Sequence, residues 1–420
     1  MQRASEDILM KRLLVIAYGR LITNGSAGHT VMCGLVEAAV AAGWDVTFLG
    51  LLTDGDAGGG DIPSPVLQNP RVMALEARYA VRRPASFQEK IQALIEPGML
   101  ESIQGALPVL EPSFDRIIAF DSLPRSLAET VSATTKVLIF GDPVGERLQH
   151  SSAPASPPWS WFGTSKTGVL GKFLSLIEPS CHRKALTRET RPAMFGTGHA
   201  KTWSAAFGCS VIDLRPFIPV HSALPEYRPD PDRITLSFGG TLGGTASRNS
   251  MTFLFDHLIP ALSTKEDCSG SPAVRGAQGK LAHHQLQIVG SVPAALKERL
   301  EPLPHVTMPG RVPDFEATLA DVDLFLVPMD YPVGVRTRVC SALQAGCFCV
   351  CHASILYNMP ELRSCPAVRI AEDNRGILDA IAAYPLCVED RHALRREART
   401  FFERHYRAGV SAAPLLQENI

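Results

Sequence analysis

The stretch from Val322 to His352 constrains the fold more than any other part of this 420-residue chain. It opens with a short apolar run that ends at Pro328 and closes with a second apolar run over Cys347 to Cys351. Between these runs, a loop leads into a helical segment over Arg338 to Ala345, which Gly346 terminates. Two buried strands joined by a helix form a βαβ unit with parallel strands. The chain is therefore predicted to be an α/β protein.

The same pattern returns near the N-terminus. Lys11 to Tyr18 is a continuous apolar strand, a helix is expected over Thr30 to Ala42, and another strand follows over Asp45 to Leu51. Gly25 and Gly28 precede the expected helix, where glycine lets the backbone approach a ligand closely. One hydrophobic core rarely extends over 420 residues, so two α/β domains are predicted.

A proline-rich segment over residues 211–232 marks the boundary between these domains, and we expect it to be extended and exposed. The predicted division is a first domain over 1–212, a linker over 213–232 and a second domain over 233–388. A charged amphipathic helix is expected in the remaining residues, 389–420.

Composition and charge exclude several classes of protein. The formal net charge is −1, so no strong field attracts nucleic acid, and none is expected as a partner. No apolar run reaches the roughly 18 residues of a membrane span, and the N-terminus lacks the apolar core of a signal peptide. The ten cysteines lie scattered, often within apolar runs, as is typical of a reducing compartment. We expect a cytoplasmic protein.

Cys347, Cys349 and Cys351 alternate along a predicted strand that ends beside His352. Alternate residues share one face of a strand, at a spacing too wide for one tetrahedral zinc ion. The pattern favours core packing, and no metal site is predicted.

The central stretch also resembles the signature of a family. Its matching residues are Gly334-Val335-Arg336-Thr337-Arg338-Val339, then Ala342-Leu343, then Ala345-Gly346. This run is similar to the signature of the glycosyl transferases group 1, the retaining, glycosyltransferase family 4-like enzymes. The resemblance extends over most of the chain and implies the GT-B fold, in which two Rossmann-like domains face each other across a cleft. Family members use a C-terminal helix like residues 389–420 to cross back to the first domain.

The resemblance implies a retaining glycosyltransferase that moves a sugar from a nucleotide-diphosphate sugar to a saccharide, lipid-linked or small-molecule acceptor. The donor would lie in the second domain and the acceptor in the first, with no cofactor and no metal required. Arg338 and Arg248 would stabilise the leaving diphosphate, although Arg248 also fits a solvated arginine at a helix start. The expected donor-binding residues are Gly25, Gly28, Gly239, Gly240, Gly334, Val335, Arg336, Thr337, Ser341 and Glu361.

Asp142 follows the predicted strand Lys136 to Phe140, at a position where the family has an acidic residue facing the transferred sugar. It is a catalytic candidate that accepts hydrogen bonds from hydroxyl groups of the sugar or acceptor. The alternative is a residue that caps the turn after its strand.

Two positions depart from the family signature. Val333 and Ser341 stand where the family has glutamates that contact the transferred sugar and the donor ribose. Glu361 is a candidate substitute for the ribose carboxylate. The departures leave two alternatives open: a catalytically degenerate paralogue that binds a nucleotide-sugar or a partner protein, and a GT-B sugar-nucleotide epimerase.

Trp159, Trp161 and Phe162 lie in a loop rich in proline and small residues, predicted at the mouth of the cleft. Exposed aromatic rings there would stack on a sugar acceptor or contact a membrane surface peripherally. Packing against helices of their own domain is the alternative.

Overall fold

The computed structural model describes residues 11–23, 25, 27–52, 61–81, 101–104, 110, 113–120, 131–143, 146, 167–183, 186, 189–221, 224–240, 248–262, 281 and 283–417. The strands of the first domain are β1 Arg12–Tyr18, β2 Asp45–Leu52, β3 Val72–Val81, β4 Glu101–Gln104, β5 Ser113–Phe120, β6 Ser132–Phe140, β7 Thr190–Phe195 and β8 Ile212–Leu214. The strands of the second domain are β9 Ile234–Gly239, β10 His284–Val289, β11 Val306–Gly310, β12 Leu324–Val327, β13 Phe348–His352 and β14 Val368–Ala371.

Helices connect these strands. In chain order they are α1 Ala27–Ala41, α2 Thr167–Arg183, α3 Thr197–Phe207, α4 over 248–262 with a π-helical turn at Leu254–Leu258, α5 Ala294–Leu300, α6 Phe315–Thr318, α7 Thr337–Ala345, α8 Asn374–Ala382, α9 Val388–His405, α10 Ala408–Ser411 and α11 Ala413–Leu416. Short 3₁₀ turns lie at Pro65–Gln68, Ala353–Tyr357 and Pro360–Ser364.

The first sheet is built around β1, with the strand order β4-β3-β2-β1-β5-β6-β7-β8. Its described pairs are parallel except β3 and β4, which are antiparallel. Side chains of β1 alternate between two helical layers, as a strand buried on both faces requires. Leu13 and Val15 pack in the core that contains α1, whereas Leu14 and Ile16 pack with Trp203 of α3.

The second sheet repeats this design with the order β11-β10-β9-β12-β13-β14, parallel throughout. In both sheets the first strand in sequence is central. The next strands are added on one side of it, and the later strands are added on its other side. Ligands of such sheets bind beyond the carboxyl ends of the strands near this change of side. The expectation of an α/β protein with two Rossmann-like domains is confirmed.

The linker between the domains is less exposed than expected. Phe217 and Ile218 are fully buried, and Tyr227 is nearly so. The backbone N–H of Ile218 donates to Tyr406 O at 3.3 Å, and Ala408 N donates to Ile218 O at 3.0 Å. The expectation of exposure was wrong at these residues, because Ile218 pairs with the chain that returns after α9, Phe217 packs in the first domain's core and the Tyr227 hydroxyl donates to Asp323.

The return to the first domain is made after the long C-terminal helix rather than by it. Helix α9 is anchored to the second domain by buried arginines: Arg395 Nη1 donates to Val322 O at 2.8 Å and Nη2 to Ala320 O at 2.7 Å. Beyond Tyr406, the short helices α10 and α11 contribute Ala408 and Leu415 to the first domain's core. The boundaries proposed from the sequence remain predictions.

Strand β13 and the preceding Cys347 lie in the core of the second domain, as expected. Cys347, Cys349 and Cys351 are fully buried, and burial raises the pKa of Cys347 and Cys351 to about 12. These thiols are therefore protonated and apolar in character.

None of the helices in the described part of the chain is long and apolar enough to cross a membrane. Trp159, Trp161 and Phe162 lie outside the described residues, so the expected roles of that segment stay predictions.

Candidate active site

The N-terminus of α7 lies against the glycine turn that follows β9. Arg338 Nη1 donates to Gly239 O at 2.9 Å, and a Cβ atom on Gly240 would lie 2.2 Å from that nitrogen. The close approach requires glycine, and the φ angle of +142° at Gly240 also favours it. The sequence therefore brings a guanidinium group onto a turn that has no side chains to cover it.

Arg338 is solvent-exposed, yet many protein atoms surround it, as is typical of a group in a cleft. Desolvation, followed by repulsion from Arg336, lowers the pKa of the Arg338 guanidinium. An anion bound here would relieve that repulsion and would also meet the free N–H groups of the first turn of α7. The arrangement suits a phosphate or diphosphate group.

Arg336 immediately precedes α7 and is held by the loop. Its Nη2 donates to Tyr331 O at 3.0 Å, and its guanidinium lies 4.8 Å from the centre of the Tyr331 ring. Its backbone N–H donates to Met359 Sδ at 3.4 Å. These contacts fix the loop that leads into α7.

Gly334 is the point where this loop contacts the first domain. Its φ angle is +72°, and a Cβ atom there would lie 2.5 Å from Asp142 Oδ2. Its N–H donates to His199 Nε2 at 3.2 Å, and its carbonyl accepts from Asn358 Nδ2 at 3.2 Å. Two first-domain side chains thus abut one glycine of the second domain.

Asn358 ties the two domains together beside that glycine. It is 1% exposed, and its Oδ1 accepts from the backbone N–H of His199 at 3.2 Å. Its backbone carbonyl accepts from Thr197 N at 3.1 Å. We call the set of Thr197, His199, Gly334 and Asn358 the cross-domain clasp.

The first-domain side of the cleft is acidic around a neutral histidine. Desolvation and then the charge of Arg336 lower the pKa of the fully buried His199 to about 4. Glu146 Oε2 lies 3.5 Å from His199 Nδ1. Desolvation, followed by repulsion from Glu178 and Asp142, raises the pKa of Glu146 to about 7. Burial thus disfavours the charged form of both groups.

Several residues expected in the donor site lie together in the structure. Arg338, Gly239 and Gly240 form one contact, and Asp142 meets Gly334 across the cleft. Thr337 is the first residue of α7, and Val335 packs partly buried on the second-domain core. Their roles toward a donor remain predictions.

The expected glycine turn of the first domain differs in detail. Helix α1 begins at Ala27 rather than Thr30, so Gly28 lies inside its first turn instead of before it. Gly25 precedes the helix and packs on His29, whose Cγ would lie 2.5 Å from a Cβ atom at Gly25.

The candidate ribose ligands are not displayed in the cleft. Glu361 Oε1 accepts from Arg215 Nε and from the Tyr406 hydroxyl, each at 2.8 Å, so this carboxylate joins the domains near the linker. Ser341 is 5% exposed and Val333 is 3% exposed. The structure favours a junction role for Glu361, and its ribose role stays a prediction. Arg248 opens α4, but its side chain lies outside what the structure describes.

Sequence reasoning placed little weight on His199 and none on Glu146 or Asn358. The only local signal was a polar residue in the first turn of a helix after a buried strand, in Gly196-Thr197-Gly198-His199. Asn358 carries no comparable signal, because Gly334 and His199 precede it by 24 and 159 residues.

One group outside the cleft could hold a metal ion among the described residues: His221, Asp314 and Glu316. His221 Nδ1 lies 3.4 Å from Asp314 Oδ2, and its Nε2 lies 3.5 Å from Glu316 Oε2. One imidazole offers one nitrogen to an ion, so carboxylates at opposite nitrogens fit two ion pairs better than a shared metal.

The sequence around this site matches a known family. Residues 270–382 match the family model described as Glycosyl transferases group 1, a segment that includes the loop before α7 and α7 itself. No curated protein matches the sequence.

Several solved structures share the fold over nearly the whole chain. A sucrose-phosphate synthase from Thermosynechococcus elongatus is 13% identical with a TM-score of 0.57, covering 96% of this chain and 97% of its own. A glycosyltransferase from Rickettsia africae is 10% identical with a TM-score of 0.55, covering 97% of each chain. A structure described as trehalose-6-phosphate from E. coli bound with UDP-2-fluoro glucose is 11% identical with a TM-score of 0.55, covering 97% of this chain and 99% of its own. The fold is GT-B.

Proposed function

We propose that this chain, whose second domain belongs to the glycosyl transferases group 1 on a GT-B fold, transfers a sugar from a nucleoside diphosphate sugar to a hydroxyl-bearing acceptor. The observation that carries the proposal is the solvent-exposed Arg338, held on the Gly239–Gly240 turn beside the N-terminus of α7. A diphosphate is the group that this combination of fixed charge and free N–H groups suits.

The proposed reaction breaks the bond between the anomeric carbon and the donor's diphosphate oxygen, and it forms a bond from that carbon to the acceptor oxygen. Negative charge grows on the leaving diphosphate, where Arg338 and the N-terminus of α7 stabilise it. In a retaining reaction both bonds lie on the same face of the sugar, and the leaving phosphate takes the acceptor's proton. No metal is required by this scheme.

Asp142 is proposed to contact the transferred sugar. Its carboxylate lies against Gly334, next to Val333, where related enzymes carry a glutamate on the loop itself. A carboxylate at this point accepts hydrogen bonds from sugar hydroxyl groups. The first domain would then supply the carboxylate that is missing at Val333.

Uridine diphosphate sugars are the first donors to test, because a structural relative was solved with UDP-2-fluoro glucose bound. The assay measures release of nucleoside diphosphate from UDP-, GDP-, ADP- and dTDP-sugars, with and without a mixture of saccharide and lipid-linked acceptors. We expect turnover of donors with one base, about 10- to 100-fold lower in Arg338→Ala, since a charge-assisted hydrogen bond is lost.

Arg375→Ala is the matched control for that assay, because Arg375 is exposed and pairs only loosely with Asp379 at 3.9 Å. Equal turnover in Arg338→Ala and Arg375→Ala would contradict the proposed site.

A degenerate paralogue is the second candidate, and the burial of Val333 and Ser341 at the family's glutamate positions favours it. That protein would bind a nucleoside diphosphate sugar and release no nucleoside diphosphate from any donor or acceptor. Conversion of the donor into an epimer would instead identify an epimerase.

A further inference from the structure

We propose that His199 is a positioning residue whose neutral form, protonated on Nδ1, holds the donor loop of residues 332–336 in place, and that Glu146 maintains that form. The contact itself stands independently of substrate. Its consequence for catalysis rests on the proposed function.

The state of the imidazole follows from its partner. Gly334 N–H donates to His199 Nε2 at 3.2 Å, so that nitrogen carries a lone pair and no proton. The proton of a neutral imidazole then lies on Nδ1, which makes no hydrogen bond among the described residues and lies 3.5 Å from Glu146 Oε2. If Nε2 carried the proton, its N–H would point at the N–H of Gly334, and this buried pair would have no acceptor between them.

The clasp fixes the backbone at Gly334, a second-domain residue that contacts His199 and Asp142 of the first domain. With its N–H on His199 and its carbonyl on Asn358, Gly334 has both peptide groups held by side chains. Arg336 follows two residues later as the residue before α7, and Arg338 lies in the first turn. A shift at Gly334 therefore moves the cations that are proposed to bind the donor.

Burial and the charge of Arg336 favour the neutral imidazole. Arg336, from the loop before α7, opposes a second positive charge. Glu146, from the segment after β6, would stabilise that charge only when ionised, and Asp142 and Glu178 oppose its ionisation. The Tyr357 ring, 5.4 Å away in an edge arrangement, adds no charge. Since these effects and burial act together, the imidazole stays uncharged at neutral pH.

Glu146 makes the contact sensitive to pH near neutrality. Above about pH 7 the ionised carboxylate lies near the Nδ1–H group and favours that tautomer, which leaves the Nε2 lone pair free to accept from Gly334 N–H. Below that pH it takes one proton from solvent, and its O–H then donates toward Nδ1. In the proposed low-pH form the imidazole releases its Nδ1 proton to solvent and takes up a proton at Nε2, which breaks the contact with Gly334. Donor binding should therefore strengthen as pH rises through about 7.

Two substitutions separate the acceptor function of His199 from its bulk. His199→Gln carries an amide oxygen to about the position of Nε2 and does not titrate, whereas the shorter His199→Asn cannot reach Gly334. Hydrogen–deuterium exchange of the peptide containing Gly334 is the readout, with overall circular dichroism confirming that each variant is folded. We expect wild type and His199→Gln to exchange alike at pH 8, and His199→Asn to exchange about tenfold faster.

The nitrogen-15 chemical shifts of the imidazole report which ring nitrogen carries the proton. A pH-dependent change of tautomer would not be expected if His199 only filled space. Nitrogen-15 shifts of His199 should show the Nδ1-protonated form at pH 8 and a change toward the Nε2-protonated form at pH 6. In Glu146→Gln this change should disappear, because no group at that position titrates.

An Nε2-protonated ring at pH 8, or equal exchange in the Gln and Asn variants, would overturn the proposal. Neither readout requires a ligand, so failure of the clasp is distinguishable from failure of the proposed function. For the catalytic consequence, UDP affinity should rise through pH 7 in wild type and stay flat in Glu146→Gln. A flat wild-type profile with clear UDP binding would refute the coupling.

Discussion

The two walls of the cleft carry opposite charge. The second-domain wall presents Arg336 and Arg338 at a helix N-terminus, with apolar Val333 beside them. The first-domain wall presents Asp142 and Glu146. Anion binding is thus proposed for one domain, whereas carboxyl groups that can accept hydrogen bonds from hydroxyl groups lie on the other. Under the proposed function neither wall is a complete site, and Gly334 is one point where the two walls touch.

The largest expected effect is that of Gly334→Ala, because a side chain there would push the walls apart. The residue has φ of +72°, and the added Cβ would lie 2.5 Å from Asp142 Oδ2. Left-handed strain of about 1–2 kcal/mol together with the clash predicts about 100-fold weaker donor turnover. The measurement is the rate of nucleoside diphosphate release at low donor concentration.

Gly310→Ala is the matched control, since Gly310 has φ of +76° and nothing within 4 Å of an added Cβ. It introduces the same backbone strain without the contact. Similar losses in both variants would show that strain alone, and not the meeting of the walls, explains the effect.

The neutral histidine predicts a specific dependence of stability on pH. The pKa of His199 is lowered to about 4, so the unfolded chain takes up this proton first as pH falls. The contribution is present above pH 6.5 and is lost between pH 6.5 and 4, by up to about 3 kcal/mol. Unfolding free energies from urea titrations should therefore fall less steeply with acid in His199→Gln than in wild type. Parallel curves would mean that His199 is already charged in the folded protein.

A smaller effect should separate the acidic wall from the cationic one. Asp142→Asn keeps the shape of the side chain but removes its charge, so turnover should fall about tenfold as a charge-assisted contact to the sugar weakens. Affinity for the nucleoside diphosphate alone should change less than twofold, because the diphosphate belongs to the other wall. Asp379→Asn, at an exposed position paired with Arg375, is the control. Loss of nucleotide affinity in Asp142→Asn would contradict the proposal that Asp142 contacts the sugar and not the diphosphate.

The smallest expected effect concerns Glu361. Tyr406→Phe removes a hydrogen bond of 2.8 Å to its carboxylate in a fully buried place and should lower the unfolding free energy by about 1–2 kcal/mol. Tyr357→Phe removes a solvent-exposed contact of 3.0 Å to Thr202 and should cost much less. Nucleotide affinity should be unchanged in Tyr406→Phe. Weaker nucleotide binding in Tyr406→Phe would instead support the hypothesis that Glu361 binds the donor ribose.

Local features of the site were predictable from the sequence, because they depend on neighbours along the chain. The apolar runs and the terminating Gly346 indicated α7 and its flanking strands, and the structure has α7 over Thr337–Ala345. The family resemblance implied Gly239, Gly240 and Arg338 as parts of one donor site, and the structure brings these three residues into contact.

The cross-domain clasp and the contact between Arg215 and Glu361 were not predictable in this way. His199 meets Gly334 across 135 residues of sequence, and Arg215 meets Glu361 through the packing of two domains. Periodicity reports which face of an element is buried, not which distant residue it meets. The burial of the linker was missed for the same reason, because Ile218 packs in the second-domain core and pairs with Tyr406, which is distant in sequence.

The most direct test of the central claim is calorimetric titration of UDP, GDP, ADP and dTDP into wild type, Arg338→Ala and Arg375→Ala. The cationic wall predicts that one nucleotide binds wild type and Arg375→Ala equally, and Arg338→Ala about 10- to 100-fold more weakly. Binding that is unaffected by Arg338→Ala, or no binding of any nucleotide to wild type, would contradict it.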